Sequence, residues 1–357
     1  MARASARQAG VRVGDLLELD VTAPAANGVF VARLGELVVF ARGTAPGERV
    51  VAEVTQVRRN FCRADAVEVL QPSPWRRTPP CAVAGACGGC DFQHLQPDYQ
   101  RRLKAAVVCE QLERIAGIDW RGEVEAVQPD DLRWRSWMRY AATPDGRPGL
   151  RASRSNKVVP LPDDGCLIDA CCPPVGQRTV GGRSFKVDAD AFWQPHVAAP
   201  EVLTRAVVEG LSPRPGERAL DLYCGVGLFS AALARAGCLV EGVENNLRAV
   251  ECAAENVPTA VFQCADVADH LSGRRDGAEL VVLDPPRAGA GRAVAADIAR
   301  LARRALAYVS CDAATFARDA AALQANGCRL DDLRAFDLFP NTRHVELVAI
   351  FTGPGCA

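Results

Sequence analysis

Apolar and polar residues alternate in four stretches near the start of the chain: "LLELDV", "GVFVARLGELVVFARG", "ERVVAEVTQV" and "FCRADAVEVL". Period-two alternation between Gly and Pro punctuation marks short half-buried strands, and it predicts a small β-barrel over residues 11–72. The run "QPSPWRRTPP" (71–80) has four prolines and no period, and reads as a linker. The period becomes helical in "PDYQRRLKAAVVCEQLERIAG" (97–117), where Leu103, Val107, Leu112 and Ile115 share a face and Gly117 supplies the stop. From about residue 183, strand and helix patterns alternate: "RALDLYCGVG", "LFSAALARAG", "LVEGVE", "NLRAVECAAENV", "AVFQCAD", "ELVVLDPP", "VAADIARLA", "ALAYVSC" and "DAATFARDAAALQANG". Such alternation predicts an α/β fold with a parallel sheet covered on both faces. The last two strands, "LDDLRAFDLF" and "HVELVAIF", have no helix between them and are expected to form an antiparallel ribbon at the sheet edge. Three domains are expected: 11–72, 78–182 and 183–353.

A length of 357 residues, with 49% hydrophobic and 24% charged residues, is that of a globular protein of two or three domains. No apolar run approaches the ~20 residues that span a bilayer. The opening "MARASARQAGVRVGD" has no apolar signal core, so the expectation is a cytoplasmic protein with no membrane association and no obligate protein partner. A net charge of −1 makes no global case for nucleic acid. Locally the balance differs. Between Arg133 and Lys157 lie Arg133, Arg135, Arg139, Arg147, Arg151, Arg154 and Lys157 against one acid, Asp145, with Trp134, Trp137 and Tyr140 interleaved. Charge plus flat rings suits a nucleic-acid surface; arginine stems lying over their own aromatics is the bland alternative, favoured on composition alone. The stretch "PDGRPG" (144–149) would turn this segment into a hairpin.

Fifteen cysteines in a reducing compartment are not expected to form disulfides. Cys109, Cys238, Cys252, Cys264 and Cys328 are scattered in apolar company and read as small buried hydrophobes. Cys81, Cys87 and Cys90 are different. Their C-x5-C-x2-C spacing gathers three thiols, one ligand short of a four-coordinate metal centre.

In an open α/β sheet, ligands bind beyond the carboxyl ends of the strands. "DLYCGVG" (221–227) lies at such an end, with Gly225 and Gly227 letting the backbone approach a ligand. Phe229 and Ser230 break the dinucleotide fingerprint. Glu244 ends the next strand, where it could take both ribose hydroxyls; Asp266 ends the third, near where an adenine amino group would lie; Asp284 ends the fourth. The ordered set fits a nucleoside without pyrophosphate, S-adenosylmethionine, although strand-end acids also cap helices. Cys311 ends the fifth strand directly before a helix, whose N-terminus is expected to acidify the thiol. Glu346 starts the last strand, with His344 two residues earlier on the same face. A thiolate and a carboxylate beside a methyl donor suggest methylation of uracil C5, which needs a nucleophile at C6 and a base for the C5 proton.

With these motifs in place, the chain resembles the RNA 5-methyluridine (uracil-C5) methyltransferase family, from about residue 11 to 352. The first strands look like a TRAM barrel, with "GTAPGERVVAEV" its turn and strand; "CAVAGACGGCDFQHL" looks like the family's iron–sulfur segment; and "DAFWQPH", "DLYCGVGLFS", "LDPPRAG", "VSCDAATFARD" and "FPNTRHVEL" follow in family order. The resemblance implies a class I S-adenosylmethionine-dependent methyltransferase (Rossmann-like) domain behind a small β-barrel and an iron–sulfur-containing central α+β domain. It implies Cys311 as nucleophile and Glu346 as proton acceptor. Gln194 and Asp284 would orient the base or donor, and Tyr223, Gly225, Glu244 and Asp266 would hold the cofactor. It implies a [4Fe–4S] cluster on Cys81, Cys87, Cys90 and Cys166, with zinc the competitor on four thiolates and Cys171 and Cys172 rival fourth ligands. The chain departs from the family at Leu228, where Asn is common, at Pro195–His196, where Val–Asn is common, and at Leu167, where Pro is usual. TRAM plus cluster is the arrangement of the rRNA enzymes, so the expected partner is RNA, 23S rRNA ahead of tRNA. The alternatives are an amino-group methyltransferase built on the Asp284-Pro-Pro motif and a non-catalytic RNA-binding protein.

Overall fold

The computed structural model describes residues 10–153, 155–162 and 176–353. These divide into two compact units. The first draws on 1–107, 139–166 and 339–343, and the second on 108–138, 167–338 and 344–357.

In the first unit, β1 (Leu16–Ala25), β2 (Val29–Leu34), β3 (Leu37–Arg42), β4 (Arg49–Val57) and β5 (Phe61–Gln71) close into a barrel in the order β1-β2-β3-β5-β4. Alternation sends Val50, Ala52 and Val54 of β4 and Leu37, Val39 and Ala41 of β3 inward. The same core receives Phe92, Leu95 and Leu103, so the start of α1 (Pro97–Ala116) packs on the barrel. Gly117, at φ 65°, ends α1 as expected.

The proline-rich run is no loose linker. Arg76 lays its guanidinium on the buried Glu48 carboxylate at 2.6 and 2.7 Å, and the amides of Ala45 and Ser73 donate to the same group. Burial alone would raise the Glu48 pKa, but Arg76 and the two amides hold it below the ordinary value. The buried face of α1 also carries polar residues. Gln100 and Asn341 exchange hydrogen bonds at 2.9 Å in both directions, and Lys104 Nζ donates to the Phe339 carbonyl at 3.0 Å. These contacts seat residues 339–343 in the first unit.

Next along the chain come β6 (Val124–Ala126), which belongs to the second unit, and β7 (Ala141–Ala142), β8 (Pro148–Arg151) and β9 (Val158–Pro160), a three-stranded sheet in the first. The expected turn joins β7 to β8, closed by Gly146 N–H to Thr143 O at 2.9 Å. Arg139, Arg147, Arg151 and Lys157 are exposed. Trp134 and Arg135, in the second unit, are buried, the guanidinium 4.0 Å over the indole. At that end of the basic segment the bland reading holds.

The second unit opens with the hairpin β10 (Gly176–Val180) and β11 (Arg183–Val187), then α2 (Ala199–Leu211). There follow β12 (Arg218–Leu222), α3 (Leu228–Arg235), β13 (Leu239–Glu244), α4 (Leu247–Asn256), β14 (Val261–Cys264), α5 (Val267–Leu271), β15 (Ala278–Leu283), α6 (Arg292–Leu301), β16 (Ala302–Ser310), α7 (Ala313–Ala325), β17 (Arg329–Asp337) and β18 (Glu346–Thr352). The sheet order is β14-β13-β12-β15-β16-β18-β17-β6. β12 through β16 pair in parallel, and β18 runs antiparallel to both its neighbours.

The final ribbon is therefore not a sheet edge. β18 inserts between β16 and β17, and β6 covers β17 in parallel. The near-continuous apolar run of β18 suits a strand buried on both faces, whereas three-residue β6 is too short to show a period. Among the scattered cysteines, Cys238, Cys252 and Cys328 are buried as expected, but Cys109 is half-buried and Cys264 exposed. Cys264 ends β14, the outer strand at that side of the sheet among the described residues. No helix among the described residues is long and apolar enough to cross a membrane.

Candidate active site

The register of the second-unit sheet brings the expected catalytic residues to one edge. Ser310 pairs with Leu347 across β16 and β18, so the next position on each strand opposes Cys311 to Glu346. Leu283 pairs with Tyr308 across β15 and β16, which puts Asp284 just past the same strand ends. Glu346 is buried (3% exposed) and Cys311 half-buried.

Burial pushes the Cys311 thiol up to about 12, with the Glu346 carboxylate adding to the rise and the Arg287 guanidinium opposing it. Burial, reinforced by Asp284, likewise drives Glu346 well above the carboxylate range, while Arg287 pulls it back. Asp284 rises to about 7 through burial and the charge of Asp221, against a hydrogen bond donated by Gln194 Nε2 to Asp284 Oδ2 at 3.1 Å.

The expected acidified thiol is thus not what the resting site presents. Asp312 is the N-cap of α7 and accepts the amides of Ala314 and Thr315, so the dipole that would stabilise a thiolate already meets a carboxylate. The cation that does favour the thiolate is Arg287, which also lies 3.5 Å from His344 Nε2.

The cofactor side is built from β12 and β13. Tyr223 sits in the left-handed region at φ 60°, rare for a bulky residue, followed by Gly225 at 53° and Gly227 at 85° as the N-cap of α3. Glu244, at the end of β13, accepts the amides of Gly225 (3.2 Å) and Asn246 (2.9 Å). Asp266 caps α5 through the Ala268 and Asp269 amides, which is the capping alternative for that acid. Leu228 and Phe229 open α3 as buried residues, and Trp193 is buried beside Gln194. His196 is a packing residue. It is buried against Trp134, its Nδ1 accepts from the Ala198 amide and its Nε2 donates to the Pro129 carbonyl.

Two residues emerge that sequence reasoning did not single out. Asp221 is wholly buried; burial pushes its carboxyl up to about 7, Ser230 Oγ donates to Oδ2 at 2.6 Å, and Oδ1 has no partner among the described residues. An orphaned carboxylate oxygen below a glycine cradle fits a donor that carries a cationic amino-acid part. Its signal was its place at the head of the D-x-x-x-G-x-G run. Arg287 was visible only as the residue after "LDPP".

Cys81, Cys87 and Cys90 line one small cavity with Leu150, Leu161 and Pro162. Cys166, Cys171, Cys172 and Leu167 lie outside the described residues. The cysteine loop is tied to β8 and its exit: Gly88 N–H donates to Arg151 O at 3.0 Å and Cys87 bridges Ala152. The Gly89 amide donates to Cys87 Sγ at 3.4 Å. Among the described residues no group of three His, Cys, Asp or Glu side chains could hold a metal ion. A single zinc would need its thiolates about 4 Å apart, given Zn–S near 2.3 Å; a cluster spreads its thiolates, each on its own iron. Three thiols around an apolar pocket are donors of the kind that both groups use.

Comparison with known proteins matches a TRAM domain to residues 10–67, a methyltransferase small domain to 199–309 and a tRNA (uracil-5-)-methyltransferase domain to 274–352. An uncharacterized RNA methyltransferase of Streptomyces coelicolor is 39% identical over 95% of this chain and 93% of its own length. A 23S rRNA (uracil(1939)-C(5))-methyltransferase of Pseudomonas putida is 31% identical over 96% of this chain and 94% of its own. The Pyrococcus abyssi tRNA (uracil-54, C5)-methyltransferase, solved with S-adenosyl-L-homocysteine, superposes with a TM-score of 0.71 over 94% of this chain and all of that one, at 24% identity. That is a likeness of fold.

Proposed function

The chain belongs to the TRAM-containing RNA uracil-5-methyltransferase family, and from that premise we propose that it methylates C5 of a uridine in 23S rRNA through a covalent adduct at Cys311. The observation that carries this reading is the opposition of Cys311 and Glu346 across β16 and β18, with Asp284 and Arg287 beside the thiol. S-adenosylmethionine, when bound, supplies an electrophilic methyl group; Tyr223, Gly225, Glu244 and Asp266 hold it, with Asp221 added to the set.

Each chain residue then has one task. Cys311, half-buried, releases its proton to solvent and its sulfur bonds uracil C6, sending the C5=C6 electron pair toward the O4 enolate. Gln194, its amide fixed by Asp284, orients the ring. Once C5 has accepted the methyl group, Glu346 takes the C5 proton; the electrons of that C–H bond re-form C5=C6 and the C6–S bond breaks. Glu346 acts in its carboxylate form, the form that burial and Asp284 disfavour and Arg287 favours.

The barrel and the exposed Arg139, Arg147, Arg151 and Lys157 would grip the RNA, and a target uridine in structured RNA must be unstacked to reach the thiol. On this reading 11–72 binds RNA, 78–182 carries the cluster and basic hairpin, and 183–353 does the chemistry, with Cys81, Cys87, Cys90 and Cys166 holding [4Fe–4S] in a cytoplasmic enzyme. The Pseudomonas putida relative supports rRNA over tRNA.

The test is to incubate the protein with donor and 5-fluorouridine-containing 23S rRNA fragments. Wild type traps a covalent adduct on denaturing gels and Cys311→Ala traps none, with methyl transfer down by roughly 1,000-fold or more. Methyl transfer by Cys311→Ala at near the wild-type rate would return the site to amino-group chemistry. Mapping 5-methyluridine in total RNA from a deletion strain identifies the RNA.

A further inference from the structure

The loop after Asp284, residues 285–291, carries Arg287 and leads into α6, and it is held from outside. Asp319, on α7 and 4% exposed, accepts the Ala290 amide at 2.7 Å and the Gly291 amide at 3.2 and 3.3 Å. It also accepts the phenol of Tyr308, a fully buried residue of β16, at 2.7 Å. The Ala290 amide reaches Tyr308 Oη as well, at 3.3 Å. Gly291 is the N-cap of α6 and offers no side chain, so the carboxylate that meets this helix N-terminus comes from α7. The fit is close. Gly289 has φ 84°, and a Cβ there would stand 2.5 Å from Asp319 Oδ2.

The arrangement has a direction. α7 starts at Ala313, two residues after Cys311, and Asp319 lies in its second turn. One buried carboxylate thus joins the loop bearing Arg287 to the helix that hangs from Cys311. The Arg287 guanidinium lies 3.5 Å from His344 Nε2, two residues before Glu346, and its charge acts on both the Cys311 thiol and Glu346.

We propose that Asp319, braced by Tyr308, is a positioning residue for the reaction, fixing the 285–291 loop so that Arg287 faces the Cys311 sulfur. This rests on the reading of Cys311 as nucleophile, but the loop geometry stands whether or not that reading does. A purely structural cap would stabilise α6 and leave the chemistry of the thiol unchanged. A positioning residue sets how readily that thiol ionises.

The experiment is site-resolved alkylation of the full chain by iodoacetamide from pH 6 to 10, read by mass spectrometry on the peptide containing Cys311, alongside steady-state methyl transfer and thermal melting. Asp319→Asn is expected to slow Cys311 alkylation at pH 8 by about tenfold and to move the profile to higher pH, since the thiol loses its aligned cation. Its kcat should fall by a similar or larger factor with KM for RNA within about twofold, the signature of a group that acts on the transition state. Tyr308→Phe deletes one donor and leaves the ring packed on Phe316; it should shift the profile the same way, by roughly threefold. Where Asp319→Asn lowers the folded yield, Tyr308→Phe decides. Folded variants whose Cys311 alkylates on the wild-type pH profile and whose kcat per folded molecule is unchanged overturn the proposal. Because alkylation reads the thiol directly, methyl transfer surviving in Cys311→Ala would remove the nucleophile reading without touching this result.

Discussion

Cys311 is a sulfur whose neighbours disagree about its charge. Burial opposes a thiolate, Glu346 and Asp284 oppose it further, and Arg287 favours it. A thiol in that setting must ionise before it can add to a pyrimidine. With the thiol pKa pushed up to about 12, adduct formation with 5-fluorouridine RNA at saturating donor is expected to rise with pH between 7 and 9 by up to about tenfold per unit. A profile flat across that window would mean that the group limiting adduct formation titrates well below neutrality. The placement of Cys311, Glu346 and Asp284 at strand ends was legible, because strand ends follow from period and punctuation. The thiol's acidity was not: the helix after it was foreseen, but its cap by Asp312 takes away the expected benefit. Asp221 stands out by its burial and the exposed Arg287 by the company it keeps, neither of which one-dimensional spacing reveals.

At the level of elements, the sequence pattern names strands and helices well and their neighbours less well. The barrel strands, α1 and the alternating second half all appear where periodicity places them. β18 moved inward and β6 joined the sheet because pairing partners depend on which apolar faces meet, information spread over residues 124 to 352. The proline-rich run was misjudged for a related reason: it has no period, but Arg76 fastens it to Glu48, a contact 28 positions away. That pair carries a stability prediction. Removing one partner of a buried ion pair costs about 3 kcal/mol or more, so Glu48→Gln should lower the unfolding free energy of the barrel at pH 7 by about that amount, read from urea melts. Since the folded state holds Glu48 below its ordinary value of 4.5, the contribution is full above that pH and fades as pH falls through the lower folded value. The gap between wild type and variant should therefore close in acid; a gap that widens there would contradict the assignment.

Over the whole molecule, the cysteine segment is the clearest case of function outrunning shape. Three thiols share an apolar pocket whose loop is hydrogen-bonded to the β8 strand. Protein purified without oxygen should carry about four irons and matching sulfide per chain. Cys87→Ser and Cys166→Ser should each lose them, with the visible absorbance, and lower the melting temperature of the first unit. Stoichiometric zinc in place of iron would overturn the cluster assignment.

The short passage 339–343 has a consequence of its own. The chain leaves β17, lends five residues to the barrel-bearing unit, where Asn341 and Gln100 clasp each other, and returns to begin β18 at Glu346. From Arg343 to Glu346 is three residues, a leash no longer than about 11 Å when taut. The carboxylate assigned to finish the reaction therefore follows, three residues down the chain, a segment that folds with the unit assigned to hold the RNA.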